Sequence, residues 1–197
     1  MLVKEVMTHD PVTVTVDTPV KAAITHLARH RITAMPVLTG SGQLCGVVSE
    51  ADLIRDLVDP DQRAHEIPLD EHAWHDRPST VGDVMTPHAI TVHPDTELAA
   101  AVDLITSTSV KSVPVVDATG RVVGMLSRGD VVQMLARADG DLEREVDALL
   151  ASAGLEGWQA EVTDGVVSLS GPQDSAGRSL AHLMASTVPG VIEVRVP

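Results

Sequence analysis

The sequence predicts an α+β protein: two copies of one βαββα unit paired about a pseudo-twofold axis, followed by a small αββαβ domain. Three observations predict it. Residues 6–57 align with 84–135 at one constant offset and without a gap, and self-similarity of this kind marks a repeated structural unit. Inside each copy the apolar spacing switches between the period of a strand and that of a helix. After residue 138 the repeat is gone, yet apolar segments continue, punctuated by Asp-Gly and Pro-Gly.

The correspondence between the copies is detailed. Val6-Met7-Thr8 matches Val84-Met85-Thr86, and Pro36-Val37 matches Pro114-Val115. Gly42, Gly46, Ser49 and Asp52 match Gly120, Gly124, Ser127 and Asp130. In the first copy, 11–16 (PVTVTV) alternates and is β-branched, which predicts a strand. Asp17-Thr18-Pro19 predicts a helix start, with an N-cap candidate and proline in the first turn. Val20 to His30 carries Val20, Ala23, Ile24, Leu27 and Ala28 at helical spacing. Ala34 to Leu38 and Leu44 to Val48 flank Gly40-Ser41-Gly42 and predict a hairpin, and a second helix runs from Glu50 to Leu57 through Ser49. A unit of about 50 residues buries too little surface to stand alone, so the copies are expected to share a core and leave clefts where they meet. The predicted boundaries are 1–58 and 81–136 for the repeats, 59–80 for a polar connection with one helical turn, and 139–197 for the last domain.

In that last domain, Leu142, Val146, Leu149 and Leu150 predict an amphipathic helix ending near Gly154. Trp158 to Val162 and Val166 to Leu169 predict two strands around Thr163-Asp164-Gly165. Asp174 to Thr187 predicts a helix with Leu180, Leu183 and Met184 on one side, and Val191 to Val196 a closing strand.

Composition narrows the function. Hydrophobic residues make up 44% of 197 residues, with no Phe or Tyr and two Trp, so Val, Leu, Ile, Ala and Met must fill the core. The 14 Lys and Arg against 28 Asp and Glu give a net charge of −14, which argues against nucleic acid as a partner. Cys45 has no second cysteine to pair with, and the N-terminal segment MLVKEVMTHDP lacks the apolar run of a signal peptide. No stretch reaches the ~20 apolar residues of a membrane span. A cytoplasmic protein is expected. His65, His72, His75 and Asp76 cluster in the connection, but their spacing fits no standard zinc site, and solvated side chains are the expectation. No phosphate-cradling glycine loop and no His/Asp arrangement around Cys45 points to catalysis. A non-enzyme that requires no cofactor is expected.

With these residues in view, each copy resembles the CBS domain, and the pair resembles a Bateman module. The carrying features are V-M-T ahead of the first strand, M-P-V and V-P-V-V-D at the second, and G-h-h-S-x-x-D in both copies. The last is Gly46 to Asp52 in one copy and Gly124 to Asp130 in the other. The resemblance implies clefts that take adenosine-containing ligands: AMP, ADP, ATP or S-adenosylmethionine. It implies that Asp52 and Asp130 accept hydrogen bonds from ribose hydroxyls, and that Ser49 and Ser127 contact phosphate. It places adenine near Thr13 and Ala34 in one copy and near Thr91 and Ser112 in the other. It also implies a homodimer through the apolar helices. Chemistry agrees: a carboxylate accepts two hydroxyl donors at once. A serine or aspartate at a helix start is also the ordinary cap. The copies differ beside that serine. Arg128 follows Ser127, with Lys111 close in the pattern, whereas Glu50 follows Ser49, with His30 and Arg31 as compensating cations. The expectation is that the Ser127/Asp130 cleft suits a phosphorylated ligand, and that the Ser49/Asp52 cleft either binds more weakly or suits a less charged nucleoside.

The final domain resembles the BON domain, on Asp164-Gly165-Val166-Val167-Ser168-Leu169-Ser170-Gly171 and on 188–194 (VPGVIEV). That family is associated with phospholipid or solute binding. Here 139–197 holds ten acids against three arginines, which disfavours an anionic membrane and favours a protein-interaction or structural role. The expected function is a regulatory sensor that relays ligand binding to the BON-like domain or a partner. The alternatives are a ligand-free dimerisation scaffold and an enzyme acting on the bound nucleotide.

Overall fold

The computed structural model describes residues 1–55, 78–108, 110–172 and 174–196, which divide into two compact units, 8–94 with 109–126 and 1–7 with 95–108 and 127–197. The connection histidines and the end of the predicted second helix lie outside the described residues.

The first of these units holds two sheets. One has the order β2 (Val14–Thr15), β3 (Ala34–Leu38), β4 (Leu44–Ser49), β5 (Thr86–Pro87). The other has the order β1 (Thr8–His9), β7 (Val122–Ser127), β6 (Ser112–Val116). Helix α1 (Val20–His30) packs Val20, Ala23 and Leu27 against Met35, Val37 and Val48, and α2 (Glu50–Ile54) adds Leu53. Each buried Val, Leu or Met side chain in this set stabilises the fold by about 1.5–3 kcal/mol. Arg31 ends α1 in the left-handed conformation (φ 54°) and its N–H donates to Leu27 O. The hairpin β3–β4 turns through Gly42, whose φ of 81° suits glycine.

Three local expectations are corrected. The strand predicted over 11–16 pairs only at Val14 and Thr15, parallel to Val37 and Leu38, and its counterpart in the second copy reduces to one bridge between Val92 and Val115. Pro11 carries no N–H to pair and the chain turns at Asp10 (φ 46°), so regular pairing starts late. Pro19 occupies the N-cap position itself, without a side-chain cap, and the Thr18 hydroxyl instead accepts from the Thr15 N–H at 3.0 Å. Finally, β1 and β5 were not predicted as strands, and they cross between copies. Thr8 and His9 pair with Met125 and Gly124 of the second copy, and Thr86 and Pro87 pair with Val47 and Gly46 of the first. These are aligned positions, so the exchange is reciprocal. Gly46 permits it: a Cβ there would stand 2.6 Å from Thr86 O.

The segment before β5 contributes in the same way. Helix α3 (Val81–Val84) starts at a capping box, with the Thr80 N–H donating to the Asp83 carboxylate at 2.9 Å. Val81 N–H donates to Thr18 O, and Val20 N–H to Ser79 O.

In the other unit the aligned bonds recur: Val3 N–H donates to Thr96 O and Leu98 N–H to Met1 O, tying a short 3-10 turn (Val3–Glu5) to the start of α4 (Leu98–Ser107). Helix α5 (Arg128–Leu135) follows Ser127. The αββαβ order is as expected: α6 (Asp139–Ser152), β8 (Gln159–Thr163), β9 (Val166–Ser170), α7 (Ser175–Thr187) and β10 (Glu193–Arg195). The sheet runs β10-β9-β8, with β10 parallel and β8 antiparallel to β9. Asp164 and Gly165 both have positive φ, the backbone of a tight hairpin turn. Asp139, Glu143 and Asp147 of α6 accept from the edge of β8 and its turn, at Asp164 and Gly165, at Val162 and at Ala160. Helix α7 corrects another expectation. Its buried stripe is Ala181, Ala185 and the following Val188, while Leu180 and Leu183 are 40% and 59% exposed. Two small residues one turn apart let the helix settle on the sheet, and the leucines at the neighbouring angle stay outside.

Among the described residues no helix is long and apolar enough to cross a membrane, and no group of three His, Cys, Asp or Glu could hold a metal ion. Cys45 is half-buried and its thiol donates to Val37 O at 3.2 Å.

Candidate functional site

Within the unit of 8–94 and 109–126, the two copies together line a cavity of about 330 Å³, at the small end of ligand pockets. The first copy supplies Thr33, Ala34, Val47, Ser49, Glu50 and Asp52 from the end of β4, the start of α2 and the entry to β3. The second supplies Thr86, His88, Ile90, Lys111, Ser112 and Pro114, from β5 and the start of β6. The crossed strand β5 brings Thr86 and His88 there. A cleft shared by the copies is what the sequence predicted.

Ser49 and Asp52 form a closed local pair. The Ser49 N–H and hydroxyl both donate to Asp52 Oδ2, at 2.9 and 2.7 Å, and the Asp52 N–H donates to Ser49 Oγ at 3.3 Å. This is a capping box for α2. Asp52 Oδ1 accepts no hydrogen bond from the described residues, which leaves it able to take a ligand hydroxyl. Ser127 and Asp130 repeat the geometry at the start of α5, at 2.7, 2.7 and 3.2 Å.

The charges lie differently from the sequence expectation. Lys111 was grouped with Ser127 and Arg128. It lines the Ser49/Asp52 cavity instead, where its Nζ donates to Glu50 Oε1 at 3.1 Å. The cation that compensates Glu50 therefore comes from the other copy, and neither His30 nor Arg31 lines the cavity. Ala34, Ser49, Asp52, Lys111 and Ser112 are brought together as predicted site residues; Thr13 and Thr91 are exposed and do not line it. Ser127, Arg128 and Asp130 belong to the other unit.

His88 was missed. Its backbone is left-handed (φ 55°) and its N–H donates to Cys45 O at 3.3 Å. The aligned residue, Asp10, has φ 46°. Asp and His are among the few residues that tolerate this region, so a shared unusual position occupied by Asp in one copy and His in the other was the available signal.

The sequence pattern of the CBS domain matches residues 3–59 and 81–137. The chain belongs to the CBS domain family. Its αββαβ segment lies outside the matched residues. Its relatives include the uncharacterized protein MJ1426 of Methanocaldococcus jannaschii, 29% identical over 68% of this chain and 91% of that protein. Another is the chloroplastic CBS domain-containing protein CBSX2 of Arabidopsis thaliana, 32% identical over 66% of this chain and 59% of that protein. This chain thus matches most of the first relative and somewhat over half of the second. Among solved structures, CBSX2 in complex with AMP is 30% identical with a TM-score of 0.54, over 67% of this chain and 93% of that one. The CBS domain pair of protein MJ0100, in complex with 5′-methylthioadenosine and S-adenosylmethionine, is 25% identical with a TM-score of 0.56, over 68% and 94%.

Proposed function

We propose that this CBS pair is a regulatory module that takes an adenosine-containing ligand in the cavity bounded by Ala34, Ser49, Asp52, Lys111 and Ser112. The observation that carries the reading is the open Asp52 Oδ1 in a cavity lined by both copies. The AMP and 5′-methylthioadenosine or S-adenosylmethionine complexes of similar CBS pairs support the ligand class. Asp52 takes the ribose hydroxyls, and the backbone around Ala34 and Ser112 takes the base. Ser127, Arg128 and Asp130 form the corresponding ligand position of the second copy.

Occupancy is relayed to the C-terminal domain, read as BON-like, or to a partner protein. In support, the end of α5 meets that domain directly: the Arg137 guanidinium donates to Pro189 O at 2.6 Å, and a Cβ on Gly190 would stand 2.9 Å from Met134 O. The apolar groove between α1 and α2, lined by Ile24, Leu27, Ile32, Leu53 and Ile54, supports a homodimer contact. The role is regulatory rather than catalytic, so ATP incubated with the protein is recovered unchanged.

A second reading has its own support. The cap accounts for every hydrogen bond Asp52 makes among the described residues, as it would in a scaffold that dimerises and binds nothing. Thermal unfolding with adenosine, 5′-methylthioadenosine, AMP, ADP, ATP and S-adenosylmethionine separates the two. A ligand at a hundred times its Kd stabilises by about 2.7 kcal/mol. The sensor predicts such a shift, lost in Asp52→Ala for ligand held in this cavity. The absence of any shift establishes the scaffold.

A further inference from the structure

Four side chains lining the cavity carry or can carry charge: Glu50, Asp52, His88 and Lys111. Lys111 is the one Lys or Arg among them, and it is already bonded to Glu50. Asp52 accepts only from the neutral N–H and hydroxyl of Ser49. Among the described residues the lining therefore holds two carboxylates against one ammonium, and Asp52 has no Lys or Arg partner. A space of about 330 Å³ is roughly 9 Å across, close to the Debye length of about 8 Å at physiological ionic strength. A phosphate anywhere inside feels all of these groups. The chain's net charge of −14 adds a field of the same sign. A phosphate must share Lys111 with Glu50 or break the pair; an uncharged thioether does neither, and a sulfonium or ammonium group is attracted. The position is particular to this copy, because the aligned residue in the second repeat is Arg128.

We propose that Glu50 makes this cavity selective for adenosine derivatives with an uncharged or cationic 5′ substituent over adenosine phosphates. The proposal rests on the cavity being the adenosine site. The Glu50 and Lys111 side chains are 45% and 62% exposed, so solvent screens the pair and discrimination is modest, about three- to tenfold.

Calorimetric titration of the full chain at low salt, with 5′-methylthioadenosine and with AMP, tests it. The wild type is expected to bind 5′-methylthioadenosine about three- to tenfold more tightly than AMP. Glu50→Gln raises the AMP affinity by about the same factor and leaves 5′-methylthioadenosine unchanged. Lys111→Met weakens AMP further, and by a larger factor than it weakens the thioether. Far-UV circular dichroism of both variants verifies the fold. AMP binding more tightly than the thioether to the wild type, or an AMP affinity unmoved by Glu50→Gln, overturns the selectivity. If both ligands bind equally and Asp52→Ala abolishes both, the adenosine site stands and the charge proposal falls. If neither binds to the wild type or to either variant, the site reading falls and takes the selectivity with it.

Discussion

Gly171→Ala isolates the packing of the C-terminal domain. A Cβ at Gly171 would overlap Cδ2 of Trp158 and stand 2.7 Å from Cε3 and 2.8 Å from Cε2. These atoms belong to a rigid indole that is 6% exposed and shares a core with Val162, Val167 and Leu169. Neither partner can swing away, and overpacking of this kind costs about 1–3 kcal/mol. Against it, alanine narrows the unfolded ensemble, which returns about 0.4–1 kcal/mol. The net expectation is a loss of about 1–2 kcal/mol. In a domain of this size each kcal/mol lowers Tm by about 4–8 °C, so the transition should fall by roughly 4–16 °C. The chain has two tryptophans, Trp74 and Trp158, so in a Trp74→Phe background the emission reports Trp158 alone. The transition is then followed by fluorescence during heating. A Tm equal to or above the parent's, with unchanged emission, would refute the claim that the strand end of β9 is glycine because the indole lies on it.

Two further outcomes follow from the same geometry. Gly46→Ala puts a methyl 2.6 Å from Thr86 O, so it should push β5 away from β4, lower the urea midpoint by an amount equivalent to about 1–3 kcal/mol, and weaken any ligand held beside Thr86 and His88. Gly40→Ala, with nothing within 4 Å of its Cβ, is the neutral control. The Asp83 carboxyl is held below its ordinary pKa by the N–H groups of Thr80 and then Ser79. A group lowered in the folded state stabilises above the unfolded value of about 3.9 and loses that contribution as the pH falls through its folded value. The gap in urea midpoint between wild type and Asp83→Asn should therefore be full at pH 6–7 and close below about pH 4; a gap independent of pH would contradict it.

Much of the fold was legible because its signals are local. The span of α1 and the strand β3 agree with the apolar spacing to the residue, and the αββαβ order follows from punctuation at Gly154, Asp164-Gly165 and Pro189-Gly190. What was not legible depends on which copy faces which. The two-residue strands β1 and β5 have no periodicity to detect, and their partners lie in the other copy. Proximity in sequence therefore put Lys111 beside Ser127, whereas the exchange puts it opposite Glu50, 61 positions away. The buried face of α7 failed for another reason. Leu180 and Leu183 outweigh Ala181 and Ala185 on any hydrophobic scale, but small side chains are what a helix needs where it touches a sheet closely; of the predicted side, Met184 does pack against that core.

The acidity of the C-terminal domain also takes on a different meaning in three dimensions. Read as composition, ten acids against three arginines describe a surface that repels anions. Three of those acids form one row. Asp139, Glu143 and Asp147 recur every fourth residue along α6, and their N–H donors recur along β8 and its turn at Ala160, Val162 and Asp164. Four helical residues advance about 6 Å and two strand residues about 6.7 Å, so the two series stay in step for three contacts. An edge strand exposes unpaired N–H groups that invite another strand; here a row of carboxylates occupies them. The opposite edge, β10, has no such row among the described residues, and its Glu193 and Arg195 pair with each other instead. The acid surplus is thus partly the device that closes one side of the sheet. It specifies how α6 docks before it says anything about a partner.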